Sequence, residues 1–445
     1  MAVSEDDQHP RFFRSTLFVI IIVSITAFTC PGLYYALNNL GAGGGTNPTI
    51  VNAANAIIFG VIAVSSPFIG AIVNRINPRL GLLIGSAFYT PYAGALYCAD
   101  KFHTTWFLLF AAVLLGLSGA FLWISSAAIL LGYCEEDRKG LAMSVKFAMQ
   151  NLGGCVGAAV SLGLNIDRNY NGGVSRGTYI VFMLLMALGP IFGAMLPASK
   201  HVRRRDSKPV VVKKQPNIFR EFVTLKLLLK APAVLALIPL MIYVQWVLSY
   251  QWQFNYAYFT VRARALNSFV FYFLGLISSL GIGQVLDTPL LDRRNRAKVG
   301  FIISTLFGAA AWILAEVTQM RYSKTRPSLD FVDERYGLGA ATFALWGCSD
   351  ALTTTYLFWL VGTLTNDVNE SALLGSIVGS TGCVGSALAF VVTVENFHLE
   401  GACSINLALF FLSVPSLFWV SFTQISSKTE GLMTVNSEEG GPVQK

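Results

Sequence analysis

Asp350 lies 12 positions from the start and 11 from the end of an apolar run, 338–361. A helix through a bilayer would therefore carry its carboxyl near the midplane, where an aspartate costs roughly 2.5 to 3.5 kcal/mol on insertion scales and needs a partner, a proton or water. At helical spacing the same face holds Phe343, Trp346, Gly347, Thr353 and Thr354, a polar and aromatic stripe in mid-membrane. Two chemistries fit. In one, Asp350 binds a proton or cation in a central cavity, with Trp346, Thr353 and Thr354 beside it. In the other, a capped or protonated aspartate makes an interhelical hydrogen bond and serves packing alone.

Other runs offer surfaces that could face Asp350. Tyr34, Tyr35, Asn38 and Asn39 follow Pro31, whose missing N–H and ring clash kink or break a helix; they read as pathway lining or as a helix ending before Gly41. Asn52, Asn55 and Phe59 share one face, and Gln150 sits beside Asn151; each is a candidate contact or plain helix–helix glue. The stretch from Tyr243 to Trp252 reads as lining at Tyr243, Gln245 and Trp246, and as an interfacial aromatic belt from Trp252 onward. Lys146 stands about one turn inside a membrane edge, so it is expected to snorkel to the headgroups or to serve a gate. Glu316 is expected to be solvated at the interface.

Several chemistries are excluded. No nucleophile–base or paired-carboxylate pattern stands out, which argues against an enzyme. The Gly41 to Gly45 run follows no strand and precedes no Lys-Ser/Thr, so it is not a phosphate loop. The seven cysteines show no metal-ligand spacing and fall mostly in apolar runs, where thiols act as small apolar groups. No cofactor and no metal are implied.

The elements that must position these residues are membrane helices. With 54% hydrophobic and 13% charged residues, the 445-residue chain exceeds what a soluble fold could bury. Runs of spanning length occur at 17–37, 49–73, 80–99, 105–131, 141–164, 178–197, 233–252, 266–286, 299–318, 338–361, 372–394 and 403–423. This predicts an all-α membrane protein of twelve transmembrane helices. Ten Lys and Arg crowd the segment from Lys200 to Lys230, and the odd–even loops divide the cations 22 to nine. By that bias both termini and the central linker face the cytosol. The net charge of +8 then reflects topology and anionic headgroups, not nucleic acid. Residues 1–16 read as a cytosolic tail without a cleavable signal, since the first run has full spanning length. The expected parts are a six-helix half at 17–197, a basic linker at 198–232, a second half at 233–423, and a tail at 424–445.

The halves echo one another. Gly70 is followed by Asn74, Arg75, Asn77 and Arg79, and Gly283 by Asp287, Arg293 and Arg294; small-residue faces recur at Gly153, Gly154 and Gly157 and at Gly375, Gly379, Gly382 and Gly385. Two six-helix halves joined by a cytosolic linker, with a repeat between them, is the outline of the major facilitator fold, whose central site lies between the halves. The strings PGLYYALNNLGAGGG (31–45), YFTVRARALNS (258–268), LLDRRNRAK (290–298) and WGCSDALTTTYLFWLVGTLTND (346–367), with YCEEDRKG (133–140), resemble the uncoordinated-93-like family of that superfamily, in a form common in fungi. The chain departs from the pattern in three places. Asn74 replaces a usual aspartate, Asn77 a usual glycine, and Lys146-Phe147-Ala148 stands where a Phe-Trp pair is usual. The resemblance implies a facilitator fold; members linked to potassium-channel regulation and receptor trafficking mean it implies no substrate.

If the halves share one layout, Arg75 and Arg79 should lie near Glu135 and Glu136, and Arg293 and Arg294 near Asp367 and Glu370, as exchangeable pairs of a cytosolic gate. The same charges would equally serve topology alone. The leading expectation is a secondary carrier of an unidentified small solute, coupled to a proton or cation through Asp350. The alternative is a non-transporting accessory or trafficking partner of an ion channel or other membrane protein.

Overall fold

In the computed structural model the described residues are 12–45, 47–135, 138–204, 218–365, 367–394 and 397–425. Among them the regular structure is helical, and the extended backbone forms only isolated bridges such as Phe259 with Leu329. Ser15 starts the first helix by accepting from the Phe18 N–H, which satisfies one of the open donors of that turn. α1 (Thr16–Ala27) then passes through a π-helical segment, Phe28–Gly32, into α2 (Leu33–Asn39). Pro31 inside that segment has no N–H for the ladder, and the widened turn accommodates its ring.

The remainder of the first half comprises α3 (Pro48–Ile76), α4 (Pro78–Ser86), α5 (Tyr89–Phe102), α6 (Thr105–Tyr133), α7 (Lys139–Leu164), α8 (Arg176–Met186) and α9 (Leu188–Ala194). Between α3 and α4, Asn77 takes φ = 87° and accepts from the Arg79 N–H. Positive φ explains why glycine suits this position and why asparagine can replace it. Within the linker, α10 (Ile218–Lys230) touches α3 of the first half and α11 and α15 of the second. The second half holds α11 (Pro232–Tyr258), α12 (Val261–Asp287), α13 (Arg293–Thr325), α14 (Tyr336–Thr363), α15 (Val368–Val394) and α16 (Leu399–Trp419).

Ten helices among the described residues are long and apolar enough to cross a membrane. The expected spans 80–99 and 338–361 fall on α4 with α5, interrupted at Ala87 and Phe88, and on α14, made less apolar by Ser349, Asp350, Thr353, Thr354 and Thr355. The run expected at 233–252 continues to Tyr258, because Tyr250, Phe254 and Tyr258 are buried inside the second half.

Two seams join the halves: α7 packs along α12, and α3 along α15. Small residues let the first seam close. A Cβ on Gly154 would lie 2.4 Å from the Tyr272 ring, and one on Gly153 would lie 2.3 Å from the Phe28 carbonyl oxygen, so α7 meets α12 and the π-helical segment almost backbone to ring and backbone to backbone. Along the second seam Phe59 stacks on Phe390 at 5.7 Å.

Candidate functional site

Where the seams meet the kinked first helix, a cavity of about 80 Å³ lies between the halves. The first half contributes Tyr35, Trp123, Phe147, Gln150 and Asn151; the second contributes Gln245, Trp252, Phe271, Tyr272, Gly347, Asp350 and Thr354. Gly347 is pressed so closely against α12 that a Cβ there would meet the Phe271 carbonyl oxygen at 2.2 Å, and this approach carries Asp350, one turn along, to the cavity wall. A smaller space of about 20 Å³ adjoins, sharing Tyr35, Trp123, Gln245 and Thr354.

Asp350 accepts a hydrogen bond of 2.8 Å from Gln251 Nε2. Gln251 is 1% exposed, and its Oε1 has no hydrogen-bond partner among the described residues. A protonated carboxyl facing a primary amide can form two hydrogen bonds, and an ionised one can accept only. The pair can therefore hold or release a proton. Gln150 Oε1 and Gln245 Oε1 are likewise buried acceptors without a partner among the described residues, and a bound polar group would satisfy them.

Of the residues expected to line the pathway, Asp350, Thr354, Gln150 and Gln245 meet in this cavity. Tyr34, Asn38 and Asn55 form a network beside it: the Tyr34 hydroxyl donates to Asn55 Oδ1 at 2.9 Å, and Asn55 Nδ2 donates to Asn38 Oδ1 at 3.1 Å. Asn38 and Asn55 border a third, smaller space next to Trp252. Other expected lining residues do not reach the cavity, Trp246 among them. Trp346 is fully buried among Tyr250, Phe254, Trp312 and Phe343. Tyr243 accepts from Trp312 Nε1 at 2.6 Å and packs on Phe410. Thr353 is 2% exposed and absent from the cavity wall. Trp346 and Tyr243 pack into the aromatic interior of the second half, and on the Asp350 helix a face of five residues is wider than the strip a cavity touches. Trp252, expected in the interfacial belt, is instead in the wall at 5% exposure.

Lys146 also departs from expectation. It does not snorkel but is 3% exposed, with Nζ 4.2 Å from the Trp123 ring centroid and 3.9 Å from that of Phe147. Glu316 accepts from the Ser404 hydroxyl at 3.1 Å.

Contacts between the halves lie on either side of the cavity. Towards the ends of α2 and α11, Asn255 Nδ2 donates to the Asn39 carbonyl at 2.7 Å, and Arg264 donates to those of Leu40 and Gly172 at 3.2 and 2.7 Å. Arg262 holds Asp330 with Nε and Nη2 while Nη1 donates to the Ile166 carbonyl at 3.2 Å, joining the halves a second time. The hydrogen bond from Arg262, above all, holds the Asp330 carboxyl below the usual carboxylate range. At the basic end, Lys139 Nζ donates to the carbonyls of Gly362, at 2.9 Å, and Thr365, where α14 ends. Asp287 in turn accepts from the Leu141 N–H in the first turn of α7. A cation on helix C-terminal carbonyls and an acid at a helix N-terminus are each favoured by the helix dipole.

Two arginines of the expected cation–carboxylate gate lie on backbone carbonyls at helix ends. Arg79 donates to the Ala194 carbonyl at 3.0 Å, where α9 ends, and Arg294 to that of Ile425 at 3.2 Å, so neither pairs with the expected acids. Asp367 accepts from the Asn369 N–H at 2.8 Å at the start of α15, and Glu370 accepts from the Thr365 hydroxyl. Arg75 closes the last turn of α3, and Arg293 opens α13. Glu135 follows α6, and Glu136 lies outside the described residues. Arg79 and Arg294 find these carbonyls because each helix end presents several open acceptors at one spot. Lys139 and Asp287, the residues that join the halves, stood in the quoted motifs; nothing in their spacing marked them as partners across the halves.

The Major Facilitator Superfamily profile matches residues 16–390. Among curated relatives, Notoamide biosynthesis cluster protein O' of Aspergillus versicolor is 31% identical, over 92% of this chain and 89% of its own length. An UNC93-like protein of Schizosaccharomyces pombe is 30% identical over 94% and 85%, and UNC93-like protein 1 of Arabidopsis thaliana 28% over 94% and 92%. Among solved structures, the proton:xylose symporter XylE superposes with a TM-score of 0.64 at 12% identity, covering 94% of this chain and 99% of that one. The human organic anion transporter MFSD10 gives 0.62 at 10%, over 90% and 99%. With a profile that spans most of the chain and relatives aligned over nearly their whole length, the protein belongs to the major facilitator superfamily and, within it, to the UNC93-like family.

Proposed function

We propose that this protein is a twelve-span secondary carrier of a small solute, with both termini in the cytosol, coupled to a proton through Asp350. The observation that carries this reading is the placement of a mid-membrane carboxyl, backed by a buried amide, in a cavity built by both halves and flanked on each side by contacts between them. A carrier needs a site reachable from either side in turn and closures that can exchange. Most of the polar contacts flanking the cavity pair a charged side chain with a backbone carbonyl or N–H, each worth about 1.5 to 3 kcal/mol net, and they are few enough on each side for one set to open while the other holds. The test is proton movement into liposomes carrying the purified protein, read with a trapped pH dye as solutes are added. Asp350→Asn is expected to insert and fold as the parent does and to abolish solute-driven acidification. Full retention by that variant would end the coupling assignment.

The rival reading, an accessory subunit of another membrane protein, is favoured by the small size of the cavity and its largely aromatic wall. On that reading the chain would co-purify with one membrane partner in fixed ratio and would move no solute in liposomes.

A further inference from the structure

α10 belongs to neither six-helix half and takes no part in the central cavity. Its 13 residues are too few to span a bilayer. The chain turns where it ends: Ala231 precedes Pro232 and takes ψ = 127°, so α11 does not continue the axis of α10. Leu225 and Leu228 are buried, and the helix rests on α3, α11 and α15. Phe222 packs edge-on against Phe68 of α3 at 5.7 Å, yet Phe68 remains 56% exposed. Phe68 stands about two turns of helix, roughly 12 Å, before α3 ends at Ile76. α10 therefore lies along the outer surface of a helix of spanning length rather than beyond its end.

The outward residues of α10 sort into two strips. At about 3.6 residues per turn, the exposed Lys226 and Lys230 fall on one edge of the outer face, and Val223 and Leu227, 58% and 40% exposed, fall on the other. Neither lysine forms an ion pair or hydrogen bond with a described residue. Water is a poor solvent for the apolar strip and acyl chains are a poor one for the ammonium groups, whereas the boundary between headgroups and acyl chains suits both. The sign of the charge selects the lipid. Ten Lys and Arg stand between Lys200 and Lys230 against Asp206 and Glu221, and each cation held near an anionic leaflet is worth about fivefold in binding.

We propose that the outer face of α10 is a docking surface for anionic phospholipid, with Lys226 and Lys230 on the headgroups and Val223 and Leu227 in the adjoining acyl layer. Because α10 touches α3 of the first half and α11 and α15 of the second, the docked helix ties the second seam to the membrane surface. The inference stands apart from the carrier reading, since it needs neither a solute nor the central cavity.

The test uses the purified full-length protein in nanodiscs of phosphatidylcholine alone or with a third of it replaced by phosphatidylserine, read by hydrogen exchange of the amides of 222–230. Nanodiscs offer the same lipid to both faces, so the result does not depend on which face is cytosolic. The serine lipid is expected to slow exchange in α10 by roughly fivefold to tenfold, the worth of one to two cations at an anionic surface, and raised salt should shrink the effect. K226Q/K230Q should remove the response to serine lipid while exchanging as the parent does in phosphatidylcholine. V223S/L227S should speed exchange in both lipids. Both pairs of positions are at the surface, so the variants are expected to fold as the parent does. Equal exchange of the wild type in the two lipids, a response that survives in K226Q/K230Q, or no change in V223S/L227S would each overturn the proposal. So would a dimer in the wild type that either variant turns into a monomer, because the face would then belong to a second copy of the chain.

Discussion

At Asp350 and Gln251 the proposed coupling depends on one proton, and neighbouring residues separate binding from packing. Trp346 lies in the same helix as Asp350 and was expected on the same surface, yet its ring is enclosed by four others. Trp346→Ala should cost about 3 to 5 kcal/mol of stability, the usual range for emptying a large aromatic from a packed interior, and leave the affinity for any transported solute unchanged in the folded fraction. Gln245→Leu should do the opposite, leaving the melting temperature within a few degrees while weakening solute binding roughly threefold to tenfold, the worth of one hydrogen bond. Thermal melts and binding curves on the two variants check both. An effect of Trp346→Ala on affinity alone would return that residue to the pathway. Asp350 was legible in sequence because an acid in an apolar run is costly wherever the helix packs. Tyr243, Trp346 and Thr353 were not separable from true lining residues, since period-3.6 spacing identifies a broad helix face and tertiary packing decides which strip of it meets the cavity.

At the scale of elements, the closures on either side of the cavity differ in chemistry. The basic end relies on Lys139 over the end of α14 and Asp287 at the start of α7, charges placed on helix dipoles. The opposite end includes Arg262 and Asp330, and this pair is sensitive to acid. Because Asp330 titrates below its unfolded value, its contribution is complete above the ordinary carboxylate range, roughly pH 4, and is lost as pH falls through the lower, folded value. Strong acid on that side should therefore loosen the contact between Arg262 and Ile166, and Asp330→Asn should produce the looser state already at neutral pH. Hydrogen exchange of the 326–335 loop measures this; protection identical in wild type and variant at all pH values would contradict it. The helices themselves were legible as apolar runs, and the left-handed φ at Asn77 matches the place where the family usually has glycine. The carbonyl partners of Arg79 and Arg294 were not legible. Arginine next to glutamate in sequence suggests ion pairs, but the carbonyls at the end of a helix are acceptors that no residue type advertises.

For the whole molecule, the proposed orientation rests on the cation bias, and Asn369-Glu370-Ser371 offers a check. This sequon opens α15 at the basic end, beside Asp367 and Lys139's acceptors, so it should carry no glycan in a eukaryotic host. A glycosidase-sensitive mass shift abolished by Asn369→Gln would invert the topology. The all-helical membrane fold could be read from the apolar runs because lipid leaves helices as the economical way to satisfy the backbone. Which side of the cavity is sealed, and by what, depends on contacts between residues more than 200 positions apart, as with Asn39 and Asn255, and no local pattern encodes those.

The central claim is that both halves share one site whose exposure alternates. Its most direct test is the labelling rate of single cysteines at Gln150 and Thr354, in a background with the seven native cysteines replaced, using a membrane-impermeant thiol reagent applied to one side of sealed vesicles. The account predicts slow labelling of both positions at rest and a concerted change at both when solute or a pH gradient is applied, lost when Asp350→Asn is added. Labelling that stays the same under every condition, or that changes at one position without the other, would contradict it.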